Sequence, residues 1–261
     1  MSLIFEMPKL SPEKYPKKLE RREEDRSEFQ ELVLQNCYNQ GCEIINQDEF
    51  VRKSLLEIKE HDKNTFLHSL EVGNMMAFVI NKMGDKFDEK EKQTLMMSAL
   101  LHDYGKTSID AMILNKRGNL TKKERKIIEE HPRYSFESLK DWDEEVAKVA
   151  VAHHEHQEHS YPRKQYVDDI LDKRNDNGDR VRKLSRILAI VDSFQAMTDP
   201  SRPSNRGQNR DIHLIVKELN EKKFILNTDK EVLFLLEDYY YQKKKPDEIN
   251  YNNQSGLVGN A

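Results

Sequence analysis

The amino-acid sequence predicts an all-α protein, and three of its features support that fold class. Apolar residues recur at helical spacing in several segments, and no stretch alternates convincingly with the two-residue period of a β-strand. Helix starts are also marked, because an Asp or Thr is followed three residues later by Glu, the spacing of a capping box. Four such pairs occur: Asp88–Glu91, Thr121–Glu124, Asp141–Glu144 and Thr228–Glu231.

Further helices are predicted, in chain order, from the spacing of the apolar residues. They cover about 27–38, 48–61, 65–82 and 182–198. The first 26 residues are rich in charge and proline, which indicates an exposed lead-in that becomes helical near its end. The segment KRNDNGDR at 173–180 is predicted to be a polar loop, and the tail after Pro246 to be flexible. The expected division is an N-terminal helical extension (1–60), a main domain (61–245) and a tail (246–261).

The composition of the 261-residue chain excludes several classes of protein. Charged residues make up 34% and hydrophobic residues 36%, as in a helical protein with polar outer faces. The formal net charge of -4 shows no basic excess that would indicate binding to a nucleic acid polymer or an anionic membrane. The two cysteines form no disulfide or zinc pattern, and neither a secretory signal nor a membrane span is evident. A cytoplasmic location is therefore expected.

Residues of metal-ligating type continue the apolar faces of five predicted helices, including one over 122–131. They are His68, His102, Asp103, His131, His153, His154 and Asp192. A single core histidine is usually a satisfied structural group, but a buried carboxylate without a partner is costly. A metal would give all seven a common partner.

The ligand types narrow the choice of metal. Imidazole and carboxylate without thiolate argue against a structural zinc site and suit iron or manganese, with catalytic zinc or cobalt as alternatives. Seven ligands exceed the need of one ion, whereas two ions bridged by a carboxylate would use all of them. Paired ions of this kind hydrolyse phosphoesters.

Four motifs, spread in this order over roughly residues 60–240, resemble an HD-GYP domain of the HD phosphohydrolase superfamily. They are ALLHDYGKTSID, LNKRGNLTKKERKIIEEHP, VAHHE and LSRILAIVDSFQAMTD. The resemblance implies an all-α HD-domain helical bundle with a five-helix core. It also implies a dinuclear-metal phosphodiesterase whose substrate is a cyclic dinucleotide such as cyclic di-GMP.

The resemblance also implies a role for individual residues. One ion would be held by His68, His102, Asp103 and Asp192, and the other by Asp103, His131, His153 and His154. Asp103 would bridge the two ions, Lys106 of HDYGK would reach a phosphate, and Arg202 would contact the substrate. The expected cofactors are two divalent ions, iron or manganese, with zinc, cobalt or nickel as alternatives. A third ion is not expected, because Asn64 precedes His68 by one turn where three-metal members carry a glutamate.

The stretch HHEHQEHSYP, residues 153–162, departs from the family pattern. Family members read HHE and then DGSGYP, whereas here Glu158, His159 and Ser160 precede the Tyr-Pro pair and both glycines are gone. Glycine allows backbone conformations that other residues rarely adopt, so this loop is expected to take another path, with 155–181 irregular. His156 and His159 are interpreted as exposed loop residues outside the site. A second departure is Gln195, which stands where an aspartate is common.

Two other functions remain open. One is a non-catalytic, metal-containing signalling or adaptor module that binds a nucleotide or a partner protein, which the altered loop favours. The other is an HD hydrolase of a different nucleotide. The complete ligand set with Lys106 favours an active enzyme. The oligomeric state is open, with a dimer as one alternative.

Overall fold

The computed structural model describes residues 23–36, 40–156, 161, 176–200, 202, 211–222 and 226–243. Within these residues the chain forms twelve α-helices and no β-strand, so the predicted all-α fold is confirmed. The helices are α1 (Glu23–Asn36), α2 (Gln40–Gln47), α3 (Glu49–His61), α4 (Lys63–Lys82), α5 (Glu89–Leu101), α6 (Ala111–Leu114), α7 (Lys122–Ile128), α8 (His131–Leu139), α9 (Glu144–Ala152), α10 (Asp176–Thr198), α11 (Ile212–Lys222) and α12 (Asn227–Lys243). Short 3-10 turns cover Gly84–Lys86 and Tyr104–Ser108.

Two of the four predicted capping boxes form, at the starts of α5 and α7. The one predicted at Asp141 is wrong, because α9 is capped by Asp143, whose carboxylate accepts hydrogen bonds from the amides of Glu145 and Val146. Asp143 has the extended backbone (φ -146°, ψ 108°) that lets a side chain fold over the first turn.

The capping box predicted at Thr228 is also wrong, because α12 begins at Asn227 and Thr228 is already its second residue. Asp229 reaches back there and accepts a hydrogen bond from the amide of Leu226 at 2.9 Å.

Several predicted boundaries also differ from the structure. The helix predicted over 122–131 is two helices, because α7 ends at Ile128 and Pro132 stands in the first turn of α8. Proline disfavours helical backbone in the residue before it and is tolerated only in a first turn. The polar loop predicted at 173–180 is wrong from Asp176 onward, where α10 begins. Arg180 pairs there with Glu145 at 2.7 Å.

Helices α1 and α3 match the predictions near 27–38 and 48–61, whereas α2 was not predicted. These three helices contribute to the same core as the rest of the chain. Phe29, Ile45 and Leu55 pack in one cluster with Phe66 and Leu70 of α4.

A second cluster gathers side chains of α4, α5, α9, α10, α11 and α12, so α4, α5 and α9 belong to both. In the part of the chain that the structure describes, no helix is both long and apolar enough to cross a membrane. The division at residues 60 and 245 stays a prediction, and the tail at 246–261 lies outside the described residues.

Candidate metal centre

The structure buries all seven predicted ligands. They lie at the ends or on the inner faces of five helices: His68 in α4, His102 and Asp103 directly after α5, His131 at the start of α8, His153 and His154 directly after α9, and Asp192 in α10. His102 and His153 are fully buried, and the most exposed of the seven, His154, is only 8% exposed.

Three of the histidines share one local design. Each follows a helix end by at most a few residues, and its Nδ1 lies on the carbonyl oxygen three residues earlier: His102 on Ala99 (3.0 Å), His131 on Ile128 (2.7 Å) and His153 on Ala150. Carbonyls in the last turn of a helix lack an intrahelical donor, so they are free to accept from a ring nitrogen. Because a carbonyl oxygen can only accept, Nδ1 donates and Nε2 keeps its lone pair for a cation.

His68 lies inside α4 and is oriented instead by two side chains of α10. Its Nδ1 is 2.6 Å from Gln195 Oε1, and its Nε2 is 3.2 Å from Asp192 Oδ1. Gln195 is buried and was not predicted as a site residue.

The ligand atoms form two groups with Asp103 between them. Atoms of His131, His153 and His154 lie within 4.8 Å of one another, and so do atoms of His68, His102 and Asp103. We call His68, His102 and Asp192 the first group, and His131, His153 and His154 the second group.

Asp103 presents one oxygen to each group. Its Oδ1 is 3.1 Å from His131 Nε2, while its Oδ2 is 3.5 Å from His68 Nε2 and 3.4 Å from His102 Nε2. The geometry is that of a carboxylate able to bridge two cations.

The protonation states of these residues suit metal ligation. Burial alone would raise the pKa of Asp103, but Lys106 and His102 hold it well below its usual range. Burial would also raise the pKa of Asp192, which His68 and His102 keep low. Both carboxylates are therefore ionised at neutral pH.

Burial lowers the pKa of His68, and it lowers the pKa of His153 to about 3 with help from His102. The pKa of His154 is well below normal because of burial and then His153. His102 is the exception, since Asp103 and Asp192 outweigh its burial and raise its pKa. Most of the imidazoles are thus neutral, the form that binds a metal.

One ring nitrogen indicates that a cation fits. His153 Nε2 is buried and, among the described residues, makes no hydrogen bond. An unsatisfied buried polar atom costs free energy on the order of 1–3 kcal/mol unless a partner completes it. A divalent ion held with Asp103 would complete it.

The turn after Asp103 is packed tightly against α8. A Cβ on Gly105 would lie 2.1 Å from the carbonyl oxygen of His131 and 2.4 Å from the amide of Ser135, so only glycine fits. Ser135 Oγ accepts from the amide of Gly105 (2.8 Å) and donates to the carbonyl of His102 (2.7 Å). Ser135 is thus a site-building residue that the sequence did not reveal. Lys106, in the same turn, places Nζ 2.6 Å from Asp103 Oδ2.

Helix α3 also holds this turn from outside the ligand set. Tyr104 OH donates a hydrogen bond to Glu57, and His61 Nε2 lies 2.7 Å from the carbonyl of Ile109. The turn that carries Lys106 is thus fixed on one side by α8 and on the other by α3.

Two further residues lie against the ligands. Arg202, half-buried, places Nη2 3.3 Å from His68 Nδ1. The ring of Tyr161 lies 4.3 Å from that of His154 and 6.0 Å from that of His131. Burial, then Asp192 and Asp103, raise the pKa of Tyr161, so its phenol stays protonated.

Of the residues predicted to form the loop after the paired histidines, some differ from expectation and others lie outside the described residues. His156 is half-buried rather than exposed, with Nε2 3.0 Å from Ser185 Oγ. Burial, then Arg186, lower its pKa to about 4. His159 and residues 162–175 lie outside the described residues. Asn64 is exposed and its Nδ2 donates to Asn115 Oδ1 at 3.3 Å.

Comparison with known families and proteins places the chain among HD domains. The model of the family described as HD domain matches residues 64–223. The cyclic di-GMP phosphodiesterase response regulator RpfG of Xanthomonas campestris is 28% identical over 163 residues, which are 61% of this chain and 39% of that protein. The cyclic di-GMP phosphodiesterase of Thermotoga maritima is 26% identical over 206 residues, 73% of this chain and 50% of that protein.

A third relative, the 3'3'-cGAMP-specific phosphodiesterase 3 of Vibrio cholerae, is 31% identical over 155 residues, which are 57% of this chain and 31% of that protein. This chain therefore matches between 31% and 50% of the length of these three relatives.

Among solved structures, the HD domain of the L. monocytogenes phosphodiesterase PgpH in complex with cyclic-di-AMP is similar with a TM-score of 0.50 and 16% identity. The similarity covers 73% of this chain and 97% of that one, and it supports the fold.

Proposed function

Because the chain belongs to the HD domain family, we propose that it is a metal-dependent phosphodiesterase that hydrolyses a cyclic dinucleotide, with cyclic di-GMP as the first candidate. The relatives at 26–31% identity are phosphodiesterases of cyclic di-GMP or 3'3'-cGAMP. These relatives are longer than this chain. Their activity is therefore proposed for this chain and not taken as shown.

The observation that carries the proposal is that Asp103 lies between the two groups of candidate ligands. One carboxylate oxygen faces His131 of the second group, and the other faces His68 and His102 of the first. We assign one ion to the first group and one to the second, with Asp103 shared by both. Iron or manganese suits this set of imidazole and carboxylate ligands, with zinc, cobalt or nickel as alternatives.

Metal ions bound there would activate water for attack on phosphorus and neutralise the charge that develops on the phosphoryl oxygens. The protein's own groups prepare the centre for this. Asp103 and Asp192 are held ionised by their neighbours, and both are almost fully buried, so their charge is poorly screened by solvent. Carboxylates in this state are strong ligands for a divalent cation.

Lys106 and Arg202 are the candidates for contact with the substrate's phosphates. Lys106 Nζ lies on Asp103, so a phosphate brought to the bridging position would meet a fixed positive charge. Arg202 lies against the Nδ1 edge of His68. A guanidinium binds phosphate through two parallel hydrogen bonds, which would orient the substrate. The protonated phenol of Tyr161 adds a neutral donor beside the second group.

A second function is favoured by the loop that follows the paired histidines. It lacks both glycines of the HD-GYP pattern. If the loop no longer admits substrate, the domain would be a metal-containing module that binds a nucleotide or a partner protein without turnover.

The deciding experiment measures turnover by protein loaded with Fe(II) under anaerobic conditions or with Mn(II). Cyclic di-GMP, 3'3'-cGAMP and cyclic di-AMP are supplied separately, and linear products are followed by chromatography. We expect hydrolysis of at least one of them, abolished in Asp103→Ala and retained in His156→Ala, whose side chain lies on Ser185 outside the centre. Metal-loaded protein that binds a dinucleotide without cleaving any of the three would instead establish the non-catalytic module.

A further inference from the structure

We propose that Gln195 is a positioning residue that fixes the tautomer of His68 and so turns its Nε2 toward the metal centre. The inference rests on the proposed function, because it takes His68 as a ligand. It concerns the one histidine of the first group that cannot use the backbone device of its neighbours.

The reason lies in the position of His68 in α4. His102, His131 and His153 follow helix ends, where carbonyls of the last turn accept from Nδ1. His68 is the sixth residue of a helix that runs from Lys63 to Lys82, so the carbonyls of its own turn are already engaged in the helix. Its Nδ1 must find an acceptor on another element, and α10 supplies one.

Helix α10 brackets the His68 ring from two sides. Asp192 and Gln195 are three residues apart and therefore lie on one face of the helix. Gln195 Oε1 is 2.6 Å from Nδ1, while Asp192 Oδ1 is 3.2 Å from Nε2. An amide oxygen can only accept, so its contact requires a proton on Nδ1, and in the neutral ring the lone pair is then on Nε2.

The orientation of the Gln195 amide is supported at its other end. Its Nε2 lies 3.5 Å from Asp199 Oδ2, a carboxylate that accepts hydrogen bonds. Gln195 is only 5% exposed, so rotation of the amide would bury its NH2 against Nδ1 and its oxygen against a carboxylate. The polarity of the neighbours thus favours the arrangement in which Oε1 faces His68.

Arg202 supplies the competing arrangement. Its Nη2 is 3.3 Å from the same Nδ1, and a guanidinium can only donate. If Nδ1 accepted a hydrogen bond from Arg202, the ring proton would lie on Nε2 and would be donated in a hydrogen bond to Asp192 Oδ1. Nε2 would then have no lone pair for a metal. The shorter contact from Gln195 favours the productive tautomer, and it leaves the Arg202 guanidinium available to a phosphate.

The proposal can be tested without catalysis, through the tautomer of His68 in metal-free protein. Gln195→Met keeps the length of the side chain but removes the strong acceptor, whereas Gln195→Glu restores an acceptor. Long-range 1H–15N spectra of 15N-histidine-labelled protein distinguish Nδ1–H from Nε2–H, and His68→Ala identifies the resonances. We expect Nδ1–H in the unaltered protein and in Gln195→Glu, and Nε2–H in Gln195→Met.

Metal affinity gives the second readout. Titration of Gln195→Met with Mn(II) should show one of two binding steps weakened by roughly 10- to 100-fold, as loss of an outer partner of a ligating histidine does elsewhere. The other step should be unchanged, and Gln195→Glu should restore the first. Ser185→Ala is the matched control, because Ser185 is the side-chain partner of His156, a histidine outside the centre.

Two results would overturn the proposal. One is an Nε2–H tautomer of His68 in the unaltered protein, which would mean that Arg202 and not Gln195 holds Nδ1. The other is a Gln195→Met protein with unchanged tautomer and unchanged affinity. Neither result depends on turnover, so a failure of the phosphodiesterase assignment, seen as absent hydrolysis by metal-loaded protein, remains distinguishable.

Discussion

Lys106 Nζ lies 2.6 Å from Asp103 Oδ2, so a positive charge is fixed on the carboxylate that faces both groups of histidines. The two residues are three positions apart, and the 3-10 turn Tyr104–Ser108 brings them together. Asp103 is only 2% exposed, which makes the lysine its compensating charge in the protein without metal. Divalent ions held by Asp103 would supply that compensation, and the ammonium would then be available to another anion, which in the proposed reaction is the phosphate.

The first prediction follows from this change of partner. Lys106→Met should keep both ions, because Lys106 is not a ligand, but should slow turnover at saturating substrate by roughly 10²-fold, as loss of one preorganised charge-stabilising group often does. Steady-state rates and elemental analysis on the same samples check both parts. Lys123→Met removes an exposed lysine of α7 and should change neither. A normal maximal rate in Lys106→Met would show that this lysine only neutralises Asp103.

The second prediction concerns the bridging role of Asp103. Asp103→Ala removes both carboxylate oxygens, one of which faces each group. The variant should therefore lose most of both ions and show no measurable hydrolysis. Asp192→Asn should lose chiefly one ion, because Asp192 contacts His68 and His102 of the first group. Metal content by elemental analysis distinguishes the two patterns. Equal loss of metal in the two variants would contradict the division of the ligands by Asp103.

The structure brings together the seven candidate ligands that the sequence indicated, but their local setting could be predicted only in part. His68 and Asp192 lie inside the predicted helices. His102, His131 and His153 were placed on helical stripes, whereas His102 and His153 lie just past a helix end and His131 begins α8. Periodicity continues smoothly through a helix terminus, so it cannot show where the last turn stops.

The contacts that Gln195 and Ser135 make with the site could not be predicted. Gln195 contacts His68 across 127 positions, and Ser135 contacts the carbonyl of His102 across 33. Such partners are set by how helices pack, and no local spacing carries that information. Gly105 left a signal in the HDYGK motif, since a glycine beside a ligand pair can mark a close approach of backbone, and here α8 fills the space where its Cβ would be.

The third prediction concerns His156, which lies in the histidine-rich stretch 153–162 but is not one of the seven assigned ligands. His156→Ala should leave the metal content and the turnover unchanged, because Nε2 of His156 lies 3.0 Å from Ser185 Oγ and not on a ligand. His154→Ala is the matched comparison two residues away and should weaken binding at the second group. Loss of an ion from His156→Ala would show that the stretch supplies more ligands than the seven assigned.

The fourth prediction is a pH dependence that His156 adds to folding. Burial, then Arg186, lower its pKa to about 4, so the folded protein keeps it neutral while the unfolded chain takes up a proton below about 6.5. His156 therefore does not lower the free energy of unfolding above about pH 6.5. Below that pH the free energy of unfolding falls as the pH approaches 4, by on the order of 2 kcal/mol at pH 5.

Replacing His156 with a residue that does not titrate should reduce the loss of stability between pH 7 and 5. We expect the melting temperature of His156→Gln to change less between pH 7 and 5 than that of the unaltered protein, both measured without metal. His213→Gln is the control, because His213 is an exposed histidine whose pKa is raised by Glu237. Identical pH profiles for His156→Gln and the unaltered protein would show that His156 is open to protonation in the fold.

The last prediction is that the protein binds two ions and not three. Position 64 lies one helical turn before His68, so a carboxylate there could reach an ion beside the pair. The residue is Asn64, an exposed amide whose Nδ2 donates to Asn115 Oδ1 at 3.3 Å. Its carbonyl oxygen can coordinate a hard cation but brings no negative charge, and repulsion among three dications a few ångströms apart is large without one. Elemental analysis should give two ions per chain in the unaltered protein and in Asn64→Gln, whereas Asn64→Glu should admit a third. A third ion at full occupancy in the unaltered protein, without phosphate present, would refute the two-ion centre.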